Sequence, residues 1–172
     1  KMIPSYSTRS PRVSDIPGEY KHLNKFQFWL FKIMGFFLWT VYPHGNSYGT
    51  TKRSVTKALA DDGAVYVIIL TQEAVVMIRN FAEKVGCLEK VFSFYVISPH
   101  AEILRNRLRL RGDSEEEVEK RIKDCFRWDS VARRPDNRHY YEFVKNMSTI
   151  ESVTKEVADL FLKKLDQRED YF

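Results

Sequence analysis

Three observations predict an α/β fold with a parallel sheet flanked by helices. Ala64 to Leu70 is a continuous apolar run rich in Val and Ile, the mark of a strand covered on both faces. Gln72 to Val85 carries an apolar stripe at helical spacing, and Val91 to Ser98 is a second apolar strand. Strand, helix and strand in this order make a βαβ unit, which calls for parallel strands joined by a right-handed crossover. The 172 residues suffice for one domain with a real core, and 44% hydrophobic with 14% aromatic residues is a globular composition.

The other elements follow in order. Met2 to Tyr6 reads as a short strand, Val13 to Glu19 as a turn-rich loop around Pro17-Gly18, and Tyr20 to Leu23 as another short strand. Phe26, Trp29, Leu30 and Ile33 recur at helical spacing and predict a helix from Lys25 to Met34, stopped by Gly35. A strand is expected over Phe36 to Tyr42, then a turn at Pro43-His44-Gly45-Asn46. Thr51 can cap a helix running to about Asp61. After Pro99 a helix is expected from Ala101 to Leu110, and Ser114 with Glu117 forms a capping box for another through about Ala132. Arg133 to Arg138 reads as a basic loop, Tyr140 to Val144 as a last strand, and Ile150 to Leu165 as a closing helix with Val153, Val157, Leu160 and Phe161 on one face.

Composition narrows the partners. A net charge of +5 suits an anionic ligand. Cys87 and Cys125 show no metal-ligand or disulfide spacing, which favours a reduced, cytoplasmic protein without a metal site. The most apolar run, Phe26 to Trp39, is broken by Lys32 and falls short of the roughly 20 residues that span a bilayer, so no membrane partner is expected. Nucleic-acid binding rests on net charge alone, since no recognition motif is present.

Two arginine-rich stretches can carry chemistry. In Ser5 to Arg12, Arg9 and Arg12 sit among hydroxyls and Pro11 stiffens the backbone between them. Guanidinium forks match phosphate oxygens, so the stretch suits an anion clamp, and it also suits a solvated basic loop. Arg105, Arg107, Arg109 and Arg111 precede Gly112, and an acidic run leads to Lys120-Arg121. That pattern fits a mobile cationic lid over a polyphosphate, or an ordinary solvated helix pair. A third stretch, His44 to Thr50, puts Tyr48 between flexible glycines where it can reach a phosphate; His44 has no neighbouring acid to orient it and reads as a turn residue.

The order of these pieces is more specific than any one of them. Ser-Thr-Arg-Ser-Pro-Arg, Gly18-Glu19-Tyr20, Phe37-Leu38-Trp39, Gly45 to Thr50, the apolar strands, Arg107 to Gly112 and Lys120-Arg121 together resemble guanylate kinase over essentially the whole chain. The resemblance implies a single P-loop nucleoside-monophosphate-kinase-like domain over 1–172, with an inserted nucleotide-binding subdomain over 20–50 and an Arg-rich lid over 104–134. It implies that Arg9 and Arg12 hold the acceptor phosphate with Tyr20, Tyr48 and Thr50, that Ser5 contacts the base, and that Arg111 and Arg121 are the catalytic lid arginines. ATP and magnesium are the implied cofactors, and a GMP-like nucleoside monophosphate is the implied acceptor.

The chain departs from that family in three places. It has no GxxxxGK[ST], it has Leu38 where the family places a Glu before Trp39, and Ile68-Ile69-Leu70 replaces a strand bearing two aspartates. It opens on Lys1 rather than Met, and a strand, P-loop and helix would be expected immediately before that residue. The implied function is ATP-dependent phosphoryl transfer to GMP or a different nucleotide where that upstream segment exists. The alternative is a catalytically inactive module on the same fold that binds a nucleotide or a protein partner.

Overall fold

The computed structural model describes residues 1–13, 15–146 and 149–169, leaving Ser14 of the expected Val13 to Glu19 loop, and the His44 side chain, outside it. The chain divides into two compact units, Lys1–Val91 and Phe92–Phe172.

The first unit is built on a four-stranded mixed sheet. Its strands are β1 (Ser5–Ser7), β2 (Tyr20–His22), β3 (Phe37–Val41) and β4 (Tyr48–Thr51), in the spatial order β2-β1-β4-β3. β1 runs parallel to β2 and antiparallel to β4, which pairs antiparallel with β3. The arginine-rich stretch that follows β1 is thereby tied to the subdomain expected over 20–50. The 3₁₀ turn Pro43–Gly45 is short enough to return β4 directly alongside β3, so this sheet cannot be all-parallel.

Between β2 and β3 lies α1 (Lys25–Ile33). Asn24 Oδ1 accepts from Gln27 N at 2.8 Å and Gln27 Oε1 accepts from Asn24 N at 3.0 Å, a capping box that starts the helix. At its other end Gly35 N donates to Lys32 O and Phe36 N to Phe31 O, the Schellman pattern, and the rings of Phe31 and Phe36 meet edge to face at 5.4 Å. The buried side of α1 is Phe28, stacked on Phe37 at 4.6 Å, with Phe31 against Tyr6 at 5.6 Å. The stripe that predicted the helix points elsewhere: Phe26, Trp29 and Ile33 are exposed. Spacing identifies a helix but does not say which apolar face is covered.

Thr51 caps α2 (Lys52–Leu59) by accepting from Ser54 N at 3.3 Å. α2 and α3 (Gln72–Lys84) close the core of the first unit, where Trp39, Val55, Ala74 and Ile78 are buried together with Leu38, Val41, Ile68 and Leu70 against them.

The stretch 64–70 differs from expectation. It is extended and alternates in burial, but it forms a single parallel bridge, Val67 to Met2, with Ile3 N donating to Val67 O at 2.9 Å. Ile68 and Leu70 pack inward, while Val65, Val67 and Ile69 stand exposed. One face is covered rather than two, and no βαβ ladder runs through these residues.

The second unit carries β5 (Phe94–Ile97), paired parallel with β6 (Glu142–Lys145). Between them run α4 (Ala101–Leu110), α5 (Glu115–Ala132) and one helical turn, α6 (Pro135–Arg138), where a basic loop was expected. Pro135 at the first position of α6 supplies the φ that a helical turn needs. α7 (Ile150–Glu169) follows β6. Ser114 and Glu117 form the expected capping box, and Leu108, Val118 and Ile122 are buried between α4 and α5. Among the described residues no helix is long and apolar enough to cross a membrane.

Candidate functional site

The loop after β1 is shaped by its own hydroxyls. Ser7 Oγ accepts from Arg9 N at 3.2 Å, turning the chain at the end of the strand. Thr8 Oγ1 accepts from Ser47 N at 2.9 Å and Thr8 N donates to Ser47 O at 3.0 Å, which pins the loop beside the residue preceding Tyr48. Local hydrogen bonds thus place Arg9 and Tyr48 on neighbouring segments.

Arg9 is fully engaged there. Its two terminal nitrogens grip Asp15 at 2.5 and 3.0 Å, one of them also donating to Ser10 O at 2.8 Å, and its guanidinium lies 4.5 Å from the Tyr20 ring centroid. The Tyr20 and Tyr48 rings meet edge to face at 6.1 Å. The Arg9 side chain is only 9% exposed. A charge so placed needs a counter-ion, and Asp15 is that group. The Arg9 bonds, with one from Arg12 N at 2.9 Å, hold the Asp15 carboxyl at about 2, and Asp15 in turn raises Arg9. Burial, with Glu19, pushes the Tyr20 hydroxyl up to about 12 against the pull of Arg9, so it stays a donor at neutral pH.

His22 completes the cluster, and sequence reasoning missed it because its partners are remote in the chain. Its Nδ1 lies 2.8 Å from the Arg9 carbonyl oxygen, which only accepts, so Nδ1 carries the hydrogen. Its Nε2 faces Asp15 Oδ2 at 3.5 Å. The Arg12 side chain is exposed and has no hydrogen-bond or ion-pair partner among the described residues. Of the two arginines, one is therefore held and one is open.

Ser5 and Thr50 meet each other. Their hydroxyl oxygens are 3.1 Å apart across the β1–β4 pairing, and both residues are buried. They lie inside the sheet that supports the Arg9 cluster.

In the second unit Arg105, Arg109, Arg111 and Arg121 are paired with acids. α4 ends in a Schellman turn at Gly112, whose φ of +87° suits glycine above other residues, with Asp113 N donating to Leu108 O at 3.2 Å. This brings Asp113 under the Arg111 guanidinium, Nε to Oδ1 at 3.3 Å, while Arg121 Nε lies 3.4 Å from Asp113 Oδ2. Asp113 thus joins Arg111 to Arg121, an acid that sequence reasoning passed over although it adjoins Gly112. Arg109 forks onto Glu115 at 2.7 and 2.8 Å, and Arg105 pairs with Glu119 at 2.9 Å.

The residues present do not fit an ATP–magnesium site. No GxxxxGK[ST] occurs in the 172 residues, and among the described residues no three His, Cys, Asp or Glu side chains gather as metal ligands. Ile68 and Leu70 pack into the apolar core instead of presenting oxygens.

No protein-family model matches the chain. Single relatives do. It is 28% identical over 171 residues to guanylate kinase 1 of Oryza sativa subsp. japonica, covering 92% of this chain and 43% of that one. It is 36% identical over 124 residues to the guanylate kinase of Wolinella succinogenes, covering 71% and 55%. The chain spans about half the length of these curated relatives. Among solved structures, a guanylate kinase from Anaplasma phagocytophilum superposes with a TM-score of 0.67 at 19% identity over 95% of this chain and 76% of that one, which establishes the likeness of fold. On these matches the chain belongs to the guanylate kinase family, as a divergent guanylate-kinase-like domain.

Proposed function

We propose that this chain supplies the acceptor side of a nucleoside-monophosphate kinase, holding the phosphate of GMP or a related monophosphate at Arg9 and Arg12. The observation that carries this reading is the Arg9 fork closed on Asp15 beside Tyr20 and Tyr48. A phosphate monoester brings up to two negative charges against the one on Asp15, so it competes for the Arg9 donors. Exposed Arg12 offers a second guanidinium, and the hydroxyls of Tyr20 and Tyr48 are suited to donate to the remaining oxygens. The Ser5–Thr50 hydroxyl pair backs this cluster and is assigned to the same acceptor site.

Within the second unit, we assign Arg111 and Arg121 the lid role: two guanidinium groups able to exchange Asp113 for phosphoryl oxygens and to neutralise charge on a group in transfer. Transfer from ATP with magnesium is proposed for the protein that carries a donor-phosphate cradle together with these residues. Free Cys87 and Cys125 suit the reducing cytoplasm, where we place the reaction.

Calorimetric titration with GMP, AMP and inorganic phosphate tests the acceptor site. A monophosphate should bind, and Arg9→Met should weaken it about tenfold or more, the scale of one lost charge-assisted pair. No binding by any monophosphate overturns the proposal. In protein bearing a donor cradle, binding of both nucleotides without ADP formation would identify a non-catalytic binding module.

A further inference from the structure

The most unusual surface of the molecule lies outside the clamp. From Tyr20 to Ala60 the sequence contains no Asp or Glu, yet it carries Lys21, Lys25, Lys32, Lys52, Arg53 and Lys57. The remainder of the chain therefore has a net charge of −1, obtained as +5 minus +6. The same stretch also exposes several large apolar side chains. Phe26, Trp29 and Ile33, three and seven residues on from Phe26, share the side of α1 opposite buried Phe28, at 68%, 52% and 58% exposure. Met34 and Phe36 extend the patch past the helix end.

We propose that this face of α1 and the turn after it rests on an anionic lipid bilayer. Phe26, Trp29, Ile33, Met34 and Phe36 enter the headgroup boundary, and the surrounding lysines meet the lipid phosphates and carboxylates. An outward apolar stripe containing Trp and Phe, flanked by lysines, is the pattern of a helix lying in a membrane interface. The expectation of no membrane partner came from the lack of a spanning segment, and a surface-lying helix needs none.

The geometry suits that role. Phe26 and Trp29 stack at 5.9 Å, so two rings present one apolar surface. Lys25 is exposed at the edge of the stripe, Lys32 bonds Tyr42 Oη at 2.6 Å, and Lys52 N donates to Phe36 O at 3.0 Å, which places α2's first cation beside the patch. The capping box and the Schellman turn hold α1 folded beforehand, so docking does not have to order a peptide.

A second copy of the chain is a poor occupant, because a symmetric pairing would set two acid-free cationic faces together. Aliphatic Ile33 and Met34 suit acyl chains better than stacked bases.

The test uses the full chain with phosphatidylcholine vesicles, with and without phosphatidylserine. Binding should require phosphatidylserine and weaken with salt, each lysine near the surface contributing a factor of about five. Tryptophan emission should shift to the blue and be quenched by brominated lipid, and Trp29→Phe should remove that signal while binding persists. The triple variant Phe26→Ser, Trp29→Ser, Ile33→Ser, with circular dichroism to confirm folding, should lower vesicle affinity about tenfold or more. GMP affinity should be unchanged in that variant, which separates this proposal from the nucleotide site. Absence of binding to phosphatidylserine vesicles at low salt overturns the proposal, as does binding that survives the triple substitution. Dimerisation in sedimentation velocity that the triple substitution abolishes would assign the face to a second copy instead.

Discussion

Asp15 occupies the Arg9 fork, with its two carboxylate oxygens 2.5 and 3.0 Å from the two terminal nitrogens. In the proposed acceptor site this internal anion keeps the Arg9 fork in place before a ligand arrives. The pair also has a pH signature. Arg9 depresses the folded-state pKa of Asp15 to about 2, below the ordinary carboxylate value of about 3.9. The stabilisation is therefore present above pH 4 and is lost as pH falls through the folded value. Urea unfolding of the wild type and Asp15→Asn should differ by roughly 1 to 2 kcal/mol near neutral pH, and the gap should close between about pH 4 and pH 2. A gap independent of pH would mean that the ion pair contributes nothing.

His22 touches both residues of this pair: its Nδ1 donates to the Arg9 main-chain carbonyl at 2.8 Å and its Nε2 lies 3.5 Å from Asp15. His22→Leu removes both contacts, whereas Asn at the same place can still donate from the position of Nδ1. The leucine variant should raise the monophosphate Kd several-fold, about 1 kcal/mol, and the asparagine variant should recover most of it. Equal losses in the two would show that the ring matters for packing and not for its hydrogen bond.

The physical reach of sequence reasoning is visible in these two residues. Arg9, Arg12 and Tyr48 stand in short-range patterns, Tyr20 is implied by the family resemblance, and the capping box of Ser114 and Glu117 is local by nature. His22 acquires its meaning only when β1 and β2 lie side by side, a tertiary event that short-range patterns do not carry, whereas Asp15 meets Arg9 and Arg12 within one short loop. The same holds for α1, whose period was legible while its orientation was not, because Phe28 and Phe31 compete with Phe26, Trp29 and Ile33 for the core. For 64–70 the run of Val and Ile specified an extended chain but could not specify how many of its faces find a neighbour.

Asp129 is a buried carboxylate on the inward face of α5, with Val118, Ile122 and Ala132. It accepts from Tyr95 Oη at 2.9 Å, Ser98 N at 3.1 Å and Ser98 Oγ at 3.3 Å, fastening the end of β5 to α5. Asp129→Ala should destabilise the protein by about 3 kcal/mol, because three donors lose their acceptor in a site with little water. Asp129→Asn keeps one acceptor oxygen and should cost less. Thermal unfolding of both variants checks the order: equal losses would show that the retained amide oxygen recovers none of the hydrogen bonding, and an asparagine variant as stable as the wild type would assign the alanine loss to volume.

Gly49 sets how closely β4 approaches β3, and so where Tyr48 stands. A Cβ at this position would come 2.8 Å from the Trp39 carbonyl oxygen and 3.1 Å from the Phe37 ring. The first contact is with backbone, which cannot rotate away, so Gly49→Ala must separate the two strands. The displacement should cost about 1 to 3 kcal/mol in unfolding free energy, the usual scale of overpacking. It should also weaken monophosphate binding, since Tyr48 is the next residue and its ring lies against Tyr20 beside Arg9. Parallel measurement of denaturation and nucleotide titration separates the two effects: a stability loss with unchanged affinity would show that Tyr48 does not contact the bound phosphate.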